Sequence, residues 1–248
     1  MLIGLAIAHG IAVATLSRPP VNAIHEAWVA RLHEVIDAAR GCSVLLIRSD
    51  QKVFCAGADL ALMRSRFASG EGRAKMVALA RAMQSAFALL QASPLASIAE
   101  IGGAAMGGGL ELALACDFRI ASAAAKLGLP EARLGLLPGA GGTQRLTRIC
   151  GEATAKRLIL GTEAVDGTEA ARLGIVQWAV PQAELPARAQ QLAKDLAALP
   201  AQSLAACKRC IAAASDEQGY ELELEATGTL LASAETQQRV RAFLEQRR

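Results

Sequence analysis

Aromatic side chains are scarce in this sequence. Its 248 residues include 2 Trp, 1 Tyr and 5 Phe, only 3% in total, although 53% of the chain is hydrophobic. The chain is long enough to bury a sizeable core, which alanine and leucine must fill, and this favours closely approached helices. The same scarcity argues against a nucleic-acid site that stacks bases on aromatic rings.

Long hydrophobic runs and a basic leader are also missing. No apolar run free of charge and glycine reaches the roughly 18 residues of a membrane-spanning helix. Met1–Ala8 lacks the basic start of a secretory signal. The net charge of +3 is mild, so it is compatible with an anionic ligand without requiring one. These features predict a soluble, cytoplasmic protein with no membrane partner.

Histidine and cysteine offer no clear site. The 3 histidines, His9, His25 and His33, lie near the N-terminus and away from the motifs described below, so none is nominated for catalysis or metal binding. The 6 cysteines lie mostly in apolar segments, which favours reduced thiols over a disulfide framework. Cys207 and Cys210 have the spacing of a redox or metal pair. Their alanine-rich helical context and the lack of a second pair favour coincidence.

Two glycine-containing segments predict a pair of backbone hydrogen-bond donors. In Phe54–Leu60 (FCAGADL), Gly57 permits a tight turn that directs the N–H of Ala58 into a pocket. In Met106–Glu111 (MGGGLE), three glycines precede a short apolar helix and free the N–H of Gly108. Unpaired N–H groups and the positive dipole end of a helix favour an oxyanion. Together the two donors would suit a thioester carbonyl.

Two glutamates accompany these donors. Glu111 falls in the first turn of the helix after the glycines, and Glu131 follows Pro130, a residue suited to a helix or turn start. Two carboxyl groups near one polarised carbonyl are suited to acid–base catalysis. Alone, Glu111 would be interpreted as complementing the helix dipole and Glu131 as a solvated loop acid; the glycines favour catalysis for Glu111. For Asp117 a structural hydrogen-bonding role is favoured.

The glycines do not fit a nucleotide-binding loop. A strand-like segment over 96–101 precedes them, but they form no G-x-G-x-x-G, and Asp117 lies too close to be the ribose-binding acid. The Gly-Lys-Ser/Thr of a phosphate-binding loop is missing as well. A carbonyl ligand is therefore the better interpretation.

From Gly102 to Gly151 the sequence resembles the signature of the enoyl-CoA hydratase (crotonase) superfamily. The matching features occur in the order typical of that family, and two upstream segments extend the likeness to nearly the whole chain. The features are the glycine run with Glu111, then Asp117, 129–131 (LPE), 134–135 (LG), 138–139 (PG) and 141–146 (GGTQRL), with 18–23 (RPPVNA) and 54–60 upstream.

The resemblance implies a role for each matching residue. Ala58 and Gly108 correspond to the oxyanion-hole donors, and Glu111 and Glu131 to the two acids of true hydratases. Members with isomerase, decarboxylase or other activities often lack one of these acids, so the presence of both favours hydration. We expect the pair to hold the attacking water and Glu131 to deliver a proton to the α-carbon. The implied substrate-binding positions are Val21, Ala23, Ala56, Asp59, Leu60, Met106, Gly107, Pro130 and Gly139.

The resemblance also implies a fold and partners. The expected fold is an α/β spiral of repeated β-β-α units with a helical C-terminal region that covers the site and makes trimer contacts. The expected ligand is an acyl-CoA thioester, with coenzyme A only as part of the substrate, no other cofactor and no metal. A homotrimer or dimer of trimers is expected, and no nucleic-acid partner. A shift in composition near Gln182 divides a core over 1–181 from a region of four helices over 182–248.

Apolar periodicity predicts the individual elements. Segments 2–8 and 11–16 alternate around His9-Gly10 as a β-hairpin. Glu100 places a charge in one predicted strand, at a cost of about several kcal/mol unless it is paired or hydrated. Further strands are predicted over 43–47, 96–101, 117–121 and 176–180, and helices over 26–40, 110–116 and within 61–93, where a polar loop precedes a long helix through Met76, Leu79, Met83, Phe87 and Leu90.

Three functions stay open at this point. The favoured one is a lyase that adds water to a 2-enoyl-CoA, with Glu111 and Glu131 as its distinguishing feature. The second is an isomerase that moves the double bond with Glu131 as sole proton carrier. The third is an RNA-binding or scaffolding member of the same fold, for which the basic residues Arg73, Lys75 and Arg81 give only a weak signature. No motif specifies the length or branching of the acyl group.

Overall fold

A computed structural model describes residues 2–214 and 216–245 of the chain. Its strands are β1 (Ile3–Ala8), β2 (Ile11–Leu16), β3 (Val44–Ser49), β4 (Ala96–Ile101), β5 (Ala105–Met106), β6 (Phe118–Ser122), β7 (Lys126–Gly128), β8 (Ala164–Asp166) and β9 (Trp178–Val180). They form a six-stranded sheet in the order β1-β2-β3-β4-β6-β9 and a three-stranded sheet in the order β5-β7-β8.

Helices alternate with these strands and then continue without them. They are α1 (Glu26–Ala38), α2 (Leu60–Arg66), α3 (Gly70–Ala92), α4 (Gly108–Ala115), α5 (Gly142–Ile159), α6 (Gly167–Arg172), α7 (Leu185–Ala197), α8 (Ala201–Ala212), α9 (Gly219–Ala232) and α10 (Ala234–Glu245), with a 3₁₀ helix over Glu131–Leu134. This arrangement confirms the predicted α/β fold with a helical C-terminal region. No helix within the described ranges is long and apolar enough to cross a membrane.

The large sheet begins with the predicted hairpin. β1 and β2 pair antiparallel from Ile3 opposite Leu16 to Ala8 opposite Ile11, and His9 and Gly10 turn the chain with positive φ angles of 51° and 75°. The pairs from β2 through β3, β4 and β6 to β9 are parallel. The four other predicted strands are confirmed to within about two residues at each end.

Helices cover both faces of this sheet. Because successive side chains of a strand point to opposite faces, Leu45 and Ile47 join a core with α1 and α3, whereas Val44 and Leu46 pack with α7. The α7 residues in that second core are Leu185, Ala189, Ala193 and Leu196. The first helix after position 182 thus shares a core with the sheet, and the division into 1–181 and 182–248 stays a prediction from composition.

Two local predictions need correction, and one small sheet was not predicted. The polar loop predicted before the long helix contains α2, because the Asp59 carboxylate accepts hydrogen bonds from the N–H groups of Ala61 and Leu62 and caps a new helix there. The helix after the glycine run begins at Gly108 rather than at 110. The small sheet was not predicted, because strands of two or three residues are too short to show an alternating pattern.

Asp117 makes the structural hydrogen bonds predicted for it. Its Oδ2 accepts from the N–H and the hydroxyl of Ser97, each at 2.7 Å, and from Lys208 Nζ at 2.7 Å. Lys208 also donates to the carbonyl of Leu95 at 2.9 Å. This group of polar contacts ties α8 to the start of β4 and to the residue before β6.

Candidate active site

A cavity of about 640 Å³ contains both glycine segments and both glutamates. Its walls come from α2 and α3 on one side and from the chain around the 3₁₀ helix on the other. Residues 56–58 and 106–108 form one end together with Glu111 and Glu131. The three segments that the sequence analysis assigned to the site, within 54–60, 106–111 and 130–131, therefore line one cavity.

The first half of the oxyanion hole depends on a single β-bridge. Ile24 pairs with Ala58 in parallel fashion, so its N–H donates to the Gly57 carbonyl at 2.8 Å and its carbonyl accepts from Asp59 N–H at 2.9 Å. In a parallel bridge the central residue's own N–H faces away from its partner. Among the described residues, no acceptor binds the Ala58 N–H, which lies in the cavity wall.

The second half of the oxyanion hole is the start of α4, which packs directly against Gly57 in the first half. Gly107 has φ +52°, a conformation that favours glycine, and Gly108 is the first residue of α4, so no carbonyl of its own helix accepts from its N–H. A Cβ on Gly57 would lie 2.9 Å from Gly108 N and 2.9 Å from the Met106 carbonyl oxygen. Only glycine at position 57, itself at φ +91°, permits this approach. Within the described residues, the N–H groups of Ala58 and Gly108 thus lie unpaired on adjoining backbone segments.

Glu111 reaches the same cavity from the first turn of α4. Its side chain is only 2% exposed, and its Oε1 accepts hydrogen bonds from the N–H groups of Ala140 at 2.8 Å and Gly142 at 2.7 Å. The pKa of Glu111 is raised to about 7, chiefly by burial and also by the nearby charge of Glu131, while the N–H groups of Gly142 and Ala140 and the charge of Arg145 oppose the rise. At neutral pH this carboxyl group can therefore either accept or hold a proton.

A buried arginine holds the loop that binds Glu111. Arg145 Nη1 donates to the Ala140 carbonyl at 2.9 Å, and its Nε donates to Gln91 Oε1 of α3 at 2.9 Å. Gly141 has φ +105°, and a side chain there would collide with the Arg145 guanidinium. Arg145 is thus a positioning residue for the Glu111 carboxylate, a role that the sequence analysis did not predict.

Glu131 begins the 3₁₀ helix and faces Gly107. A Cβ on Gly107 would lie 2.8 Å from Glu131 Oε1, which places this carboxyl group directly beside the oxyanion hole. Its Oε2 is buried and has no hydrogen-bond partner among the described residues. Burial raises the pKa of Glu131, while a hydrogen bond from its own backbone lowers it. The Glu131 carboxyl group therefore lines the cavity beside the second donor, with no hydrogen bond from another described residue to its Oε2.

The nine predicted substrate-binding positions divide into two groups. Six of them line the cavity: Ala56, Leu60, Met106, Gly107, Pro130 and Gly139. Val21, Ala23 and Asp59 lie behind this wall. The Val21 carbonyl accepts from the Ala56 N–H at 3.0 Å, and Arg18 joins the Ala23 carbonyl at 2.8 Å to the Asp59 carboxylate at 2.7 Å. This second group supports the segment that carries the first donor.

The cavity has an apolar wall that the sequence analysis did not assign to the site. Met76, Leu79 and Met83 were predicted only as the apolar face of a long helix. The structure turns that face partly into the cavity, opposite the leucines that follow the 3₁₀ helix. A helix face looks the same in the sequence whether it meets core or cavity, although the concentration of methionines was an available signal.

The cysteines and the basic residues singled out in the sequence lie outside the cavity lining. All six cysteines are unpaired, and Cys207 is exposed on α8. On α3, Lys75 forms an ion pair with Glu71 at 2.6 Å and Arg73 donates to the Phe67 carbonyl at 2.9 Å, so two of the three basic residues have partners.

Comparison with known proteins assigns this arrangement to a family. The family model described as enoyl-CoA hydratase/isomerase matches residues 6–248. The chain belongs to this family. A probable enoyl-CoA hydratase of Bacillus subtilis (strain 168) is 37% identical over 99% of this chain and 96% of its own length. The mitochondrial methylglutaconyl-CoA hydratase of Rattus norvegicus is 39% identical over 76% of this chain and 60% of its own.

Solved structures of this family agree with the fold. A crystal structure titled as an enoyl-CoA hydratase of Geobacillus kaustophilus is 32% identical, covers 100% of this chain and 95% of its own, and has a TM-score of 0.93. The resemblance inferred from the glycine and glutamate motifs is confirmed at the level of family and fold. The chain is thus an acyl-CoA enzyme of the crotonase type.

Proposed function

We propose that this enzyme is an enoyl-CoA hydratase, which reversibly adds water in syn fashion across the 2,3 double bond of a 2-enoyl-CoA. The product is a 3-hydroxyacyl-CoA, and coenzyme A enters only as part of the substrate. One observation carries the proposal: Glu111 and Glu131 share a cavity with the unpaired N–H groups of Ala58 and Gly108. The first pair supplies acid–base chemistry, and the second supplies an oxyanion hole.

In the proposed reaction the thioester oxygen binds the two N–H groups. As the oxygen of water attacks the β-carbon, negative charge develops on the thioester oxygen and on the α-carbon. The N–H of Ala58 and the N–H of Gly108 stabilise that charge without reorganisation, because the backbone already holds them in place. Loss of one good donor of this kind typically costs about 10²–10³ in rate.

The glutamate pair holds the water and moves its protons. We propose that Glu111 accepts a proton from the attacking water and that Glu131 donates a proton to the α-carbon. The backbone N–H groups on Oε1 of Glu111 fix the orientation of its carboxylate. The carboxyl group of Glu131 lines the cavity beside Gly107, next to the second donor, and this position supports its role as proton donor to the α-carbon.

A direct test is hydration of crotonyl-CoA. Addition of water removes the conjugated double bond, so the absorbance of the enone thioester should fall when enzyme is added. The 3-hydroxybutyryl-CoA formed is then identified by mass spectrometry. No loss of absorbance at any enzyme concentration would contradict the proposal.

One observation favours an alternative, movement of the double bond between the β,γ and α,β positions. Because Glu111 Oε1 already accepts two backbone hydrogen bonds, Glu131 is the less constrained proton carrier and would serve an isomerase alone. With a 3-enoyl-CoA an isomerase would increase the enone absorbance. A hydratase alone would leave that substrate unchanged, so the two substrates together separate the two activities.

A further inference from the structure

We infer that the acyl site is built for an extended, uncharged aliphatic chain longer than the crotonyl group, and that it rejects a carboxylated acyl group. This inference rests on the proposed function, since it concerns the acyl part of the same 2-enoyl-CoA substrate. It is carried by the composition, direction and exposure of one cavity wall.

The wall is composed of adaptable apolar side chains. The chain has 5 methionines, and 4 of them, Met63, Met76, Met83 and Met106, line this one cavity. Methionine is unbranched and polarisable, so a group of methionines adapts to a flexible aliphatic chain. Leu60, Val77, Leu79 and Leu137 are among the remaining lining side chains.

The wall starts at the reacting centre and leads away from it. A Cβ on Gly108 would lie 2.8 Å from Met83 Cε, so the methyl group of Met83 contacts the backbone that carries the second donor. Met76, Leu79, Ala80 and Met83 follow one another at helical spacing on one face of α3. At 1.5 Å per residue this stripe is about 10 Å long, which suits an extended chain better than a crotonyl group.

The far end of the cavity is apolar but open to solvent. Val77 is 64% exposed and Leu137 is 67% exposed, although both line the cavity. An acyl chain lying between α3 and the leucines opposite would remove this surface from water. Each methylene group that becomes fully buried contributes about fourfold in affinity.

Polar side chains are few in this wall. Besides Glu111 and Glu131, the charged or hydroxyl-bearing side chains lining the cavity are Arg133 and Thr162. Arg133 donates to the Thr162 hydroxyl at 2.8 Å and to the Thr162 carbonyl at 3.0 Å. Arg133, the cation among the described lining residues, is held against Thr162, so a carboxylate lying along the stripe from Met83 to Met76 would be among apolar side chains and close to Glu111 and Glu131, at a large desolvation cost. Because one relative is named methylglutaconyl-CoA hydratase, 3-methylglutaconyl-CoA is the appropriate carboxylated substrate for comparison.

The first test compares three substrates of the wild-type enzyme. We expect kcat/KM for 2-octenoyl-CoA to exceed that for crotonyl-CoA by at least about tenfold, mainly through KM, because binding along the chain is equal in ground and transition states. We expect kcat/KM for 3-methylglutaconyl-CoA to be at least about tenfold lower than kcat/KM for 2-octenoyl-CoA. A crotonyl value equal to or above the octenoyl value, or faster hydration of methylglutaconyl-CoA, would overturn the inference and leave the hydratase function intact.

The second test changes the wall itself. Val77→Asp should lower the octenoyl-to-crotonyl ratio of kcat/KM at least about tenfold, because it places a charge beside the chain. Val77 is exposed, so the substitution should not prevent folding. The matched control is Ile7→Asp on β1, an exposed apolar residue outside the cavity lining, which should keep the wild-type ratio. An unchanged ratio in Val77→Asp would contradict the assignment of this wall.

A binding measurement separates this inference from the proposed reaction. Calorimetric titration with octanoyl-CoA and butyryl-CoA needs no turnover, and octanoyl-CoA should bind at least about tenfold more tightly. Loss of all hydration with this preference retained would contradict the proposed function alone. Equal affinity for the two saturated thioesters would overturn the chain-length inference alone.

Discussion

Two carboxyl groups beside one pair of N–H donors govern the chemistry at the scale of single residues. Glu131 is the group we assign to protonation of the α-carbon. Replacing it by glutamine keeps the shape but removes the transferable proton, so we predict that Glu131→Gln lowers the rate of crotonyl-CoA hydration by about 10² or more. The affinity for butyryl-CoA should change little. The control is Glu152→Gln on the exposed part of α5, and full activity in Glu131→Gln would contradict the assignment.

The two carboxyl groups, Glu111 and Glu131, also predict that the rate of hydration depends on pH. The charge of Glu131 raises the pKa of Glu111, so the two groups titrate together, and water addition needs one proton on the pair. Burial is the largest cause that raises the pKa of Glu111 to about 7, and burial also raises the pKa of Glu131, so the pair loses the proton that Glu131 must donate as the pH rises past this range. We predict that kcat/KM for hydration decreases above about pH 7.

Glu131→Gln tests this coupling directly. The substitution removes the charge that opposes ionisation of Glu111, so the pKa of Glu111 should fall. Carbon-13 NMR titration of labelled glutamate carboxyl groups measures the shift without requiring turnover. An unchanged midpoint for Glu111 would show that the two groups do not interact.

At the scale of elements, the entry to α5 determines where Glu111 points. A Cβ on Gly142 would lie 2.9 Å from Glu111 Oε1 and 2.8 Å from Pro138 Cβ. We predict that Gly142→Ala displaces this carboxylate and lowers kcat by about tenfold or more, since small misplacements of catalytic groups are costly. The control is Gly41→Ala in the turn after α1, where an added Cβ meets nothing within 4 Å. Equal kcat in both variants would contradict this role of the loop.

A second prediction for a secondary-structure element concerns Glu100 in strand β4. The side chain is 8% exposed, its Oε2 has no partner among the described residues, and burial raises its pKa while Arg48 opposes the rise. Stability is therefore retained below the ordinary glutamate pKa of 4.5 and lost as the pH rises through the raised value. We predict that Glu100→Ala changes the free energy of unfolding in the stabilising direction by more at pH 8 than at pH 5.

Urea unfolding at the two pH values measures this difference. The control is Glu217→Ala, which removes an exposed carboxyl group. The difference between the two variants isolates the effect of burial. A Glu100→Ala variant that is less stable than wild type at pH 8 by more than at pH 5 would contradict the prediction.

At the scale of the whole molecule, the C-terminal helices present apolar side chains to solvent. Ile211, Leu224, Leu231 and Val240 are each more than half exposed on α8, α9 and α10. Exposed apolar groups of this kind mark protein interfaces. We propose that this surface joins copies of the chain into a homotrimer or a dimer of trimers.

Light scattering coupled to size-exclusion chromatography tests the assembly. The wild type should elute with the mass of three or six chains, and Leu224→Asp combined with Leu231→Asp should reduce that mass. Glu221→Gln on the same helix is the control. A monomeric wild type at micromolar concentration would contradict the proposal.

Local patterns in the sequence were sufficient for much of this molecule. The hairpin around His9, the strands of the large sheet and the glycine entry to α4 depend on contiguous residues, because alternation, helical spacing and glycine conformations are local properties. The family followed from motifs of the same local kind. The capping of α2 by Asp59 was equally local but was not recognised in the sequence.

Long-range contacts alone decided the rest. Glu111 Oε1 accepts hydrogen bonds from the N–H groups of Ala140 and Gly142. Arg145 connects the loop that contains these two residues to α3. The methionine face of α3 has the same sequence pattern whether it contacts the core or a cavity. The cavity exists because the chain around the 3₁₀ helix packs at a distance from this face. Packing between distant segments brought the two acids and the two donors together, because no local pattern records which surfaces meet.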